Sequence, residues 1–170
     1  MIQQYLTFKV EDTQYAINVF KIQEVLEYEE PQQIPCSSEL LSGIIRSRDT
    51  NIAIMNIRKK FGLNPKIPGS ETRNIVLEVV DSESGVINLY GITVDEVFEV
   101  IELDDSKLEP LPKQKNFSGG EFVSSVFSQN GIYTLVLDVS KIFSEEDFNT
   151  TPTEQVEPKP AKRKTTRRTK

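Results

Sequence analysis

Carboxylates and one thiol are the reactive side chains that this sequence offers. The chain has 170 residues, with 26 Asp and Glu, a single cysteine and no histidine. Without imidazole, no side chain has an ordinary pKa near neutrality for acid and base catalysis, and Cys36 has no histidine with which to form a thiolate pair. We interpret Cys36 as a buried or loop thiol. Because it cannot form an internal disulfide, it favours a reducing compartment.

The sequence predicts no cofactor and no metal site. Ser118-Gly119-Gly120 lacks the lysine and spacing of a phosphate-binding loop, and residues 81–84 lack the ligand run of a calcium loop. Asp104 and Asp105 fall in a predicted turn, where a solvated charge is the usual interpretation. A carboxylate-based hydrolase stays open as an alternative, but the sequence does not locate the paired carboxylates that it needs.

Charge divides the chain into an acidic body and a basic tail. Residues 150–170 hold seven Lys or Arg against two Glu, a net charge of +5, which leaves −11 for residues 1–149 of a chain at −6. The acidic body argues against a nucleic-acid groove there. We expect the tail to be disordered. Two roles stay open for the tail. It is a solvated segment, or it is the part through which a small-barrel protein binds nucleic acid or an anionic membrane surface.

An internal repeat positions the rest of the chain. Residues 15–25 (YAINVFKIQEV) return 75 positions later as residues 90–100 (YGITVDEVFEV), with 5 of 11 residues identical. Three further echoes follow in the same order, at 34–35 and 111–112, 41–43 and 117–119, and 56–61 and 138–143. We predict two half-units, about 1–67 and 68–149, which share one core because each is too small to fold by itself.

Alternating apolar residues predict an all-β fold with short helical turns and a C-terminal helix. Asn130-Gly131 is a strong two-residue hairpin signal. Asn56 and Asp138 or Ser140 are predicted helix caps, the last helix running to about Phe148. Barrels or a sandwich both satisfy this pattern, and the duplication favours two small barrels. The predicted strands are residues 5–10, 14–19, 44–48, 51–57, 73–80, 86–94, 97–103, 122–127 and 132–139; the other predicted helical turns run from Val19 through Glu27, over 37–41, and to Phe61-Gly62.

Several ordered motifs resemble those of the CheW-like domain, the chemotaxis coupling family that joins receptors to the histidine kinase CheA. Residues 15–25 resemble its YGIxIxxVxEV run, and residues 43–48 stand where the family has GxxNLRG. Residues 52–62 resemble VPVIDLRxRFG. Two later runs, 91–97 and 135–141, resemble GIxVDxV and LLLDxxK. The resemblance spans about residues 4–145, nearly the whole body.

The resemblance implies two closely packed five-stranded SH3-like β-barrels that form a cytoplasmic adaptor without catalysis. Its expected partners are the regulatory domain of a CheA-type histidine kinase and the cytoplasmic tip of a methyl-accepting chemoreceptor. On the matching positions, the receptor-binding residues would be Ile22, Glu24, Val25 and Arg48, and the kinase-binding residues would be Ile52 and Ile54. Two alternatives stay open: Ile22 and Val25 are core residues, and Glu24 is structural, since the repeat has Glu99 in its place.

The chain departs from the family pattern in one hairpin region. Arg46 and Ser47 replace Asn and Leu, Asp49 replaces Gly, Ala53 replaces Pro and Asn56 replaces Asp. Asp49 tolerates a left-handed backbone less well than glycine does. Because the departures lie close to the expected partner-binding positions, we expect a non-standard receptor or kinase array.

Overall fold

Ten strands and two very short helices make up the part of the chain that the structure, a computed structural model, describes: residues 1–35, 38–111 and 120–143. The strands are β1 (Ile2–Val10), β2 (Thr13–Asn18), β3 (Ile22–Glu27), β4 (Leu41–Ser47), β5 (Thr50–Met55), β6 (Arg73–Val80), β7 (Ile87–Val94), β8 (Glu96–Asp104), β9 (Val123–Gln129) and β10 (Ile132–Leu137). The helices are α1 (Ile57–Lys60) and α2 (Val139–Ile142). Single 3₁₀ turns cover Val19–Lys21, Asp105–Lys107 and Gly120–Phe122. None of the helices in these described ranges is long and apolar enough to cross a membrane.

The strands form two five-stranded sheets that exchange strands between the half-units. One sheet, barrel I, has the order β8-β1-β2-β10-β9, and the other, barrel II, has the order β3-β6-β7-β5-β4. Each takes a first hairpin from one half of the chain and three strands from the other half. The two orders are the same once β6 to β10 are matched to β1 to β5. The half-units 1–67 and 68–149 are therefore repeats of sequence, while each barrel is built from both.

The matching extends to the register of the strands. The parallel pair of barrel I places Leu135 opposite Tyr15, and that of barrel II places Ala53 opposite Tyr90. Isolated bridges join the ends of each sheet, Glu109 to Val126 in barrel I and Gln32 to Ile44 in barrel II. These bridges close both sheets, which confirms the predicted pair of five-stranded barrels.

Three apolar clusters account for the packing. The largest lies between the barrels and includes Phe8, Ile17, Ile75, Ile92 and Ile142, all 0% exposed. Two smaller clusters fill the barrel interiors, around Phe127 in barrel I and Ile54 in barrel II. Alternating strand residues point into one or the other of these clusters, whereas most residues of the edge strands β3 and β8 stay partly or fully exposed. This shared core agrees with the expectation that neither half folds by itself.

Local signals in the sequence were confirmed where side chains act on their own backbone. Asn56 caps α1 by accepting from the backbone NH of Lys59 at 3.0 Å, and Asp138 caps α2 by accepting from Ser140 at 3.0 Å. Asn130 and Gly131 form the β9–β10 turn with φ of +54° and +77°, as its two-residue hairpin requires. The end of the predicted C-terminal helix, the tail and Cys36 lie outside the described residues.

Two predicted helical segments were wrong. The segment through Glu27 is helical only over Val19–Lys21 and continues as β3. The described part of residues 37–41 forms a turn that enters β4 at Leu41. Gly43 lies within β4 at φ +144°, where an added Cβ would stand 2.3 Å from the carbonyl oxygen of Gln32. Gly43 thus serves the close backbone approach that closes barrel II.

Candidate functional site

The edge strand β3 carries three of the four residues expected to bind a receptor. Its pairing with β6 places Ile22 opposite Leu77, Glu24 opposite Val76 and Val25 opposite Ile75, with a β-bulge between Ile22 and Glu24. The extra residue at the bulge turns Ile22 and Val25 to the face between the barrels. Glu24 instead points to the barrel II side, where Val76 is part of the interior cluster.

Glu24 is held in place by the β4–β5 hairpin. The hydroxyl of Ser47 donates to Glu24 Oε1 at 3.0 Å, and Nε of Arg48 lies 3.5 Å from Glu24 Oε2. The Glu24 side chain is only 15% exposed, whereas that of Arg48 is 80% exposed. The structure therefore brings Glu24 and Arg48 together, with the carboxylate fixed and the guanidinium on the surface. Ser47, noted from the sequence only as a departure, supplies the shorter of the two contacts.

The turn that presents Arg48 has a left-handed backbone. Arg48 and Asp49 have φ of +49° and +62°, and Ser47 pairs with Thr50 on either side of them. Such a two-residue turn favours Gly at its second position, so Asp49 carries a conformational cost that the family's glycine avoids. Asp49 Oδ1 also lies 3.6 Å from Arg46 Nη2, an exposed pair of small energetic value.

The apolar residues near Glu24 differ in exposure. Ile22 is half-buried and packs against the core between the barrels, so it supports β3 from beneath. Val25 is 41% exposed. Phe20, in the 3₁₀ turn just before β3, is 84% exposed, and its backbone NH is held by the Asn18 side chain at 2.9 Å. We did not select Phe20 from the sequence. The repeat indicated that this position is exposed, because its counterpart is the charged residue Asp95.

The two residues expected to bind a kinase, Ile52 and Ile54, have their side chains inside barrel II. These residues are 1% and 0% exposed and belong to the interior cluster of barrel II. They lie on β5, which is hydrogen-bonded on both sides, to β4 and to β7. Their side chains can shape this sheet from within but do not reach a partner docked on its outside.

A polar cluster joins the two barrels close to the start of β8. Arg58, which follows β5, donates from Nη1 to both carboxylate oxygens of Asp95 at 3.1 Å and also pairs with Glu11 in the β1–β2 turn. Asp95 accepts in addition from the backbone NH of Glu11 at 2.7 Å and lies 3.4 Å from Lys66 Nζ. Burial by itself lowers the pKa of Arg58, but its contacts with Glu11 and Asp95 raise that pKa above its ordinary value. This cluster fixes the orientation of the barrels that carry the candidate site.

Comparison with known proteins identifies the family. The CheW-like domain model matches residues 4–147. The chain belongs to the CheW-like domain family. A chemotaxis protein CheW from Treponema pallidum is 28% identical over 149 residues, which cover 85% of this chain and 84% of that protein. The corresponding protein of Klebsiella aerogenes is 24% identical over 146 residues, covering 86% and 84%.

A solved CheW-like structure has the same fold. The scaffolding protein CheW of Thermoanaerobacter tengcongensis superimposes with a TM-score of 0.73 at 24% identity, over 85% of this chain and 94% of that one. The resemblance seen in the sequence motifs is thus confirmed. Membership of the CheW-like family supports a chemotaxis adaptor.

Proposed function

We propose that this protein is a cytoplasmic, non-catalytic adaptor that couples methyl-accepting chemoreceptors to a CheA-type histidine kinase. The observation that carries the proposal is the family match over residues 4–147, which spans both barrels. The site geometry agrees with a binding role, since the guanidinium of Arg48 lies at the surface while the Glu24 carboxylate beside it is fixed on a β-strand.

We place the receptor contact at β3 and the β4–β5 turn. The Glu24 carboxylate is already ordered by Ser47, so a partner need not pay the entropy of fixing it. Arg48 is exposed and its 3.5 Å contact with Glu24 is long, so it is available to a carboxylate of the partner. Val25 and Phe20 offer apolar area on either side of the pair. A helix of the receptor tip would bury this apolar area while the charges set its register.

We place the kinase contact on the outer surface of barrel II. Ile52 and Ile54 would contribute from inside the barrel by packing β5 in place. The exposed side chains of Thr50 and Asn51 would contact the kinase. The departures from the family pattern lie on or next to β4 and β5: they are Arg46, Ser47, Asp49, Ala53 and Asn56. They would therefore adjust which receptor or kinase is bound, without changing the fold.

Charge reversal tests the receptor site. Glu24→Lys and Arg48→Glu should each weaken binding to a soluble receptor tip by about tenfold or more, which corresponds to about 1.4 kcal/mol, measured by isothermal titration calorimetry. Lys59→Glu is the matched control, because Lys59 is an exposed cation of α1, lies outside both proposed contacts and pairs with the exposed Glu39 at 3.5 Å. It should retain the wild-type affinity. Unchanged affinity in both Glu24→Lys and Arg48→Glu would refute this site.

A further inference from the structure

Among the described residues, two carboxylates of the edge strand β8 in barrel I lack the neighbouring cations that their counterparts on β3 have in barrel II. Residues 96–105 contain five carboxylates and no Lys or Arg. The repeat matches Glu99 to Glu24 and Glu102 to Glu27. Glu24 has Arg48 beside it at 3.5 Å, and Glu27 lies opposite Arg73 in the register.

The matching positions around β8 carry no charge. Asn130 stands where the other half has Arg48, and Gln4 lies opposite Glu102 where the other half has Arg73 opposite Glu27. Neither Glu99 nor Glu102 forms an ion pair with a cation within the described residues, while the neighbouring Glu96 pairs with Lys9 at 3.6 Å. Two carboxylates on this edge are thus without the positive partner that the same fold supplies in the other barrel.

Apolar side chains accompany Glu102, whereas Glu99 points to the opposite face of β8. Strands β1 and β8 pair Ile2 with Asp104, Gln4 with Glu102 and Leu6 with Val100, so these six side chains share one face of the sheet. Leu6 is buried between the barrels, but Ile2 and Val100 are 65% and 52% exposed. We call the exposed part of this face, formed by Ile2, Gln4, Val100, Glu102 and Asp104, the β8 face. It combines apolar area with two carboxylates: Glu102, which forms no ion pair within the described residues, and Asp104, which accepts from the backbone NH of Ser106 at 2.9 Å. This combination suits the long stems and charged ends of Lys and Arg.

We propose that the basic end of this chain, residues 159–170, docks on the β8 face of the same molecule. This segment contains seven Lys or Arg and no acidic residue. Fifteen residues lie between Phe143 and Lys159, a length that spans up to roughly 50 Å when extended. The radius of gyration of a domain of this size is about 15 Å, so the segment can reach any face. A second copy of the chain is a poor occupant, because two β8 faces repel each other.

Covalent attachment favours the tail over free cations. A tethered segment is present at an effective concentration in the millimolar range, so weak exposed charge pairs suffice for occupancy. Docking would be salt-dependent, since the Debye length falls from about 10 Å at 0.1 M to about 3 Å at 1 M ionic strength. The docked tail would also compete with any other cationic partner for barrel I. This inference is independent of the receptor and kinase assignments.

Paramagnetic relaxation in the full-length chain tests the inference. With Cys36→Ser and Thr166→Cys, a nitroxide at position 166 should broaden the amide signals of Val100 and Glu102 at low salt. The broadening should disappear at about 1 M salt. Broadening confined to another face, or the same weak effect over the whole surface, would overturn the proposal; binding of the label-bearing tail to anionic vesicles or DNA under those conditions would assign it to those partners instead.

Three substitutions make the test specific. Gln4→Arg restores the cation that barrel II has at Arg73 and should displace the tail, so the broadening at Val100 falls by more than half. Glu102→Gln should act in the same direction. Glu27→Gln removes the matching carboxylate from barrel II and should leave the broadening unchanged. Amide spectra of each unlabelled variant verify that it is folded. Equal broadening in Gln4→Arg and Glu27→Gln would contradict the proposed site.

Discussion

Removing Arg58 should lower the free energy of unfolding more than removing any exposed cation would. Arg58 and Asp95 are 12% and 10% exposed, and two 3.1 Å hydrogen bonds join them across the boundary between α1 and β8. A hydrogen bond to a charged group contributes about 1.5–3 kcal/mol, and breaking a fully buried ion pair costs about 3–5 kcal/mol. In Arg58→Met, Asp95 keeps Lys66 and the NH of Glu11, so we expect a loss just below the range for a buried ion pair, about 2–3 kcal/mol.

Urea unfolding followed by circular dichroism measures this loss as a lower midpoint at constant slope. Lys59→Met is the matched control: Lys59 is the next residue, is 49% exposed and pairs with an 83% exposed Glu39 at 3.5 Å. Its effect should stay below about 1 kcal/mol. A double-mutant cycle of Arg58→Met with Asp95→Asn should show a coupling energy of about 1 kcal/mol or more. The same urea midpoint for Arg58→Met and Lys59→Met, or a cycle without coupling, would contradict a stabilising role for the Arg58–Asp95 pair.

Two further predictions concern the hairpin that carries Arg48. Gly43→Ala should destabilise the protein by about 2–5 kcal/mol, because it adds the cost of a strained φ to the loss of both hydrogen bonds between Gln32 and Ile44. Gly69→Ala is the control, because an added Cβ meets open space there, and it should be nearly neutral in the same urea titration. Similar midpoints for the two variants would contradict the close approach at Gly43. Asp49→Gly should raise the melting temperature by about 2–4 °C, the equivalent of about 1 kcal/mol, because glycine accepts φ of +62° without strain; a lower melting temperature would mean that the pair with Arg46 outweighs that strain.

Alternation and turn chemistry predicted most strands because both are local. Leu6, Phe8 and Val10 alternate in β1, and Asn130-Gly131 needs only its own backbone to form a turn. The repeat predicted the pairing of barrels. Strand β3 was mistaken in part for a helix because the bulge after Ile22 inserts one residue, which places Ile22 and Val25 on one face at a spacing of three. Val97 and Val100 have the same spacing for the same reason, with the bulge in the β1–β8 pair.

Features that depend on distant neighbours could not be predicted. Ile52 and Ile54 alternate as residues of an exposed strand would, and only the placement of β5 between β4 and β7 buries them. The exchange of strands between half-units is likewise invisible in either repeat, since both arrangements satisfy the same apolar pattern. The contact of Ser47 with Glu24 depends on closure of barrel II, which brings β4 next to β3 across a gap of more than twenty residues.

Bridging is the property that defines an adaptor, and co-sedimentation measures it directly. Membranes that contain a methyl-accepting chemoreceptor are mixed with a CheA-type kinase, with and without this protein, and the kinase in the pellet is quantified. We expect the kinase to sediment with the receptor in proportion to the added protein, and we expect Glu24→Lys to abolish this dependence while Lys59→Glu preserves it. Recovery of the kinase that is independent of this protein, or a protein that binds neither partner, would contradict the account.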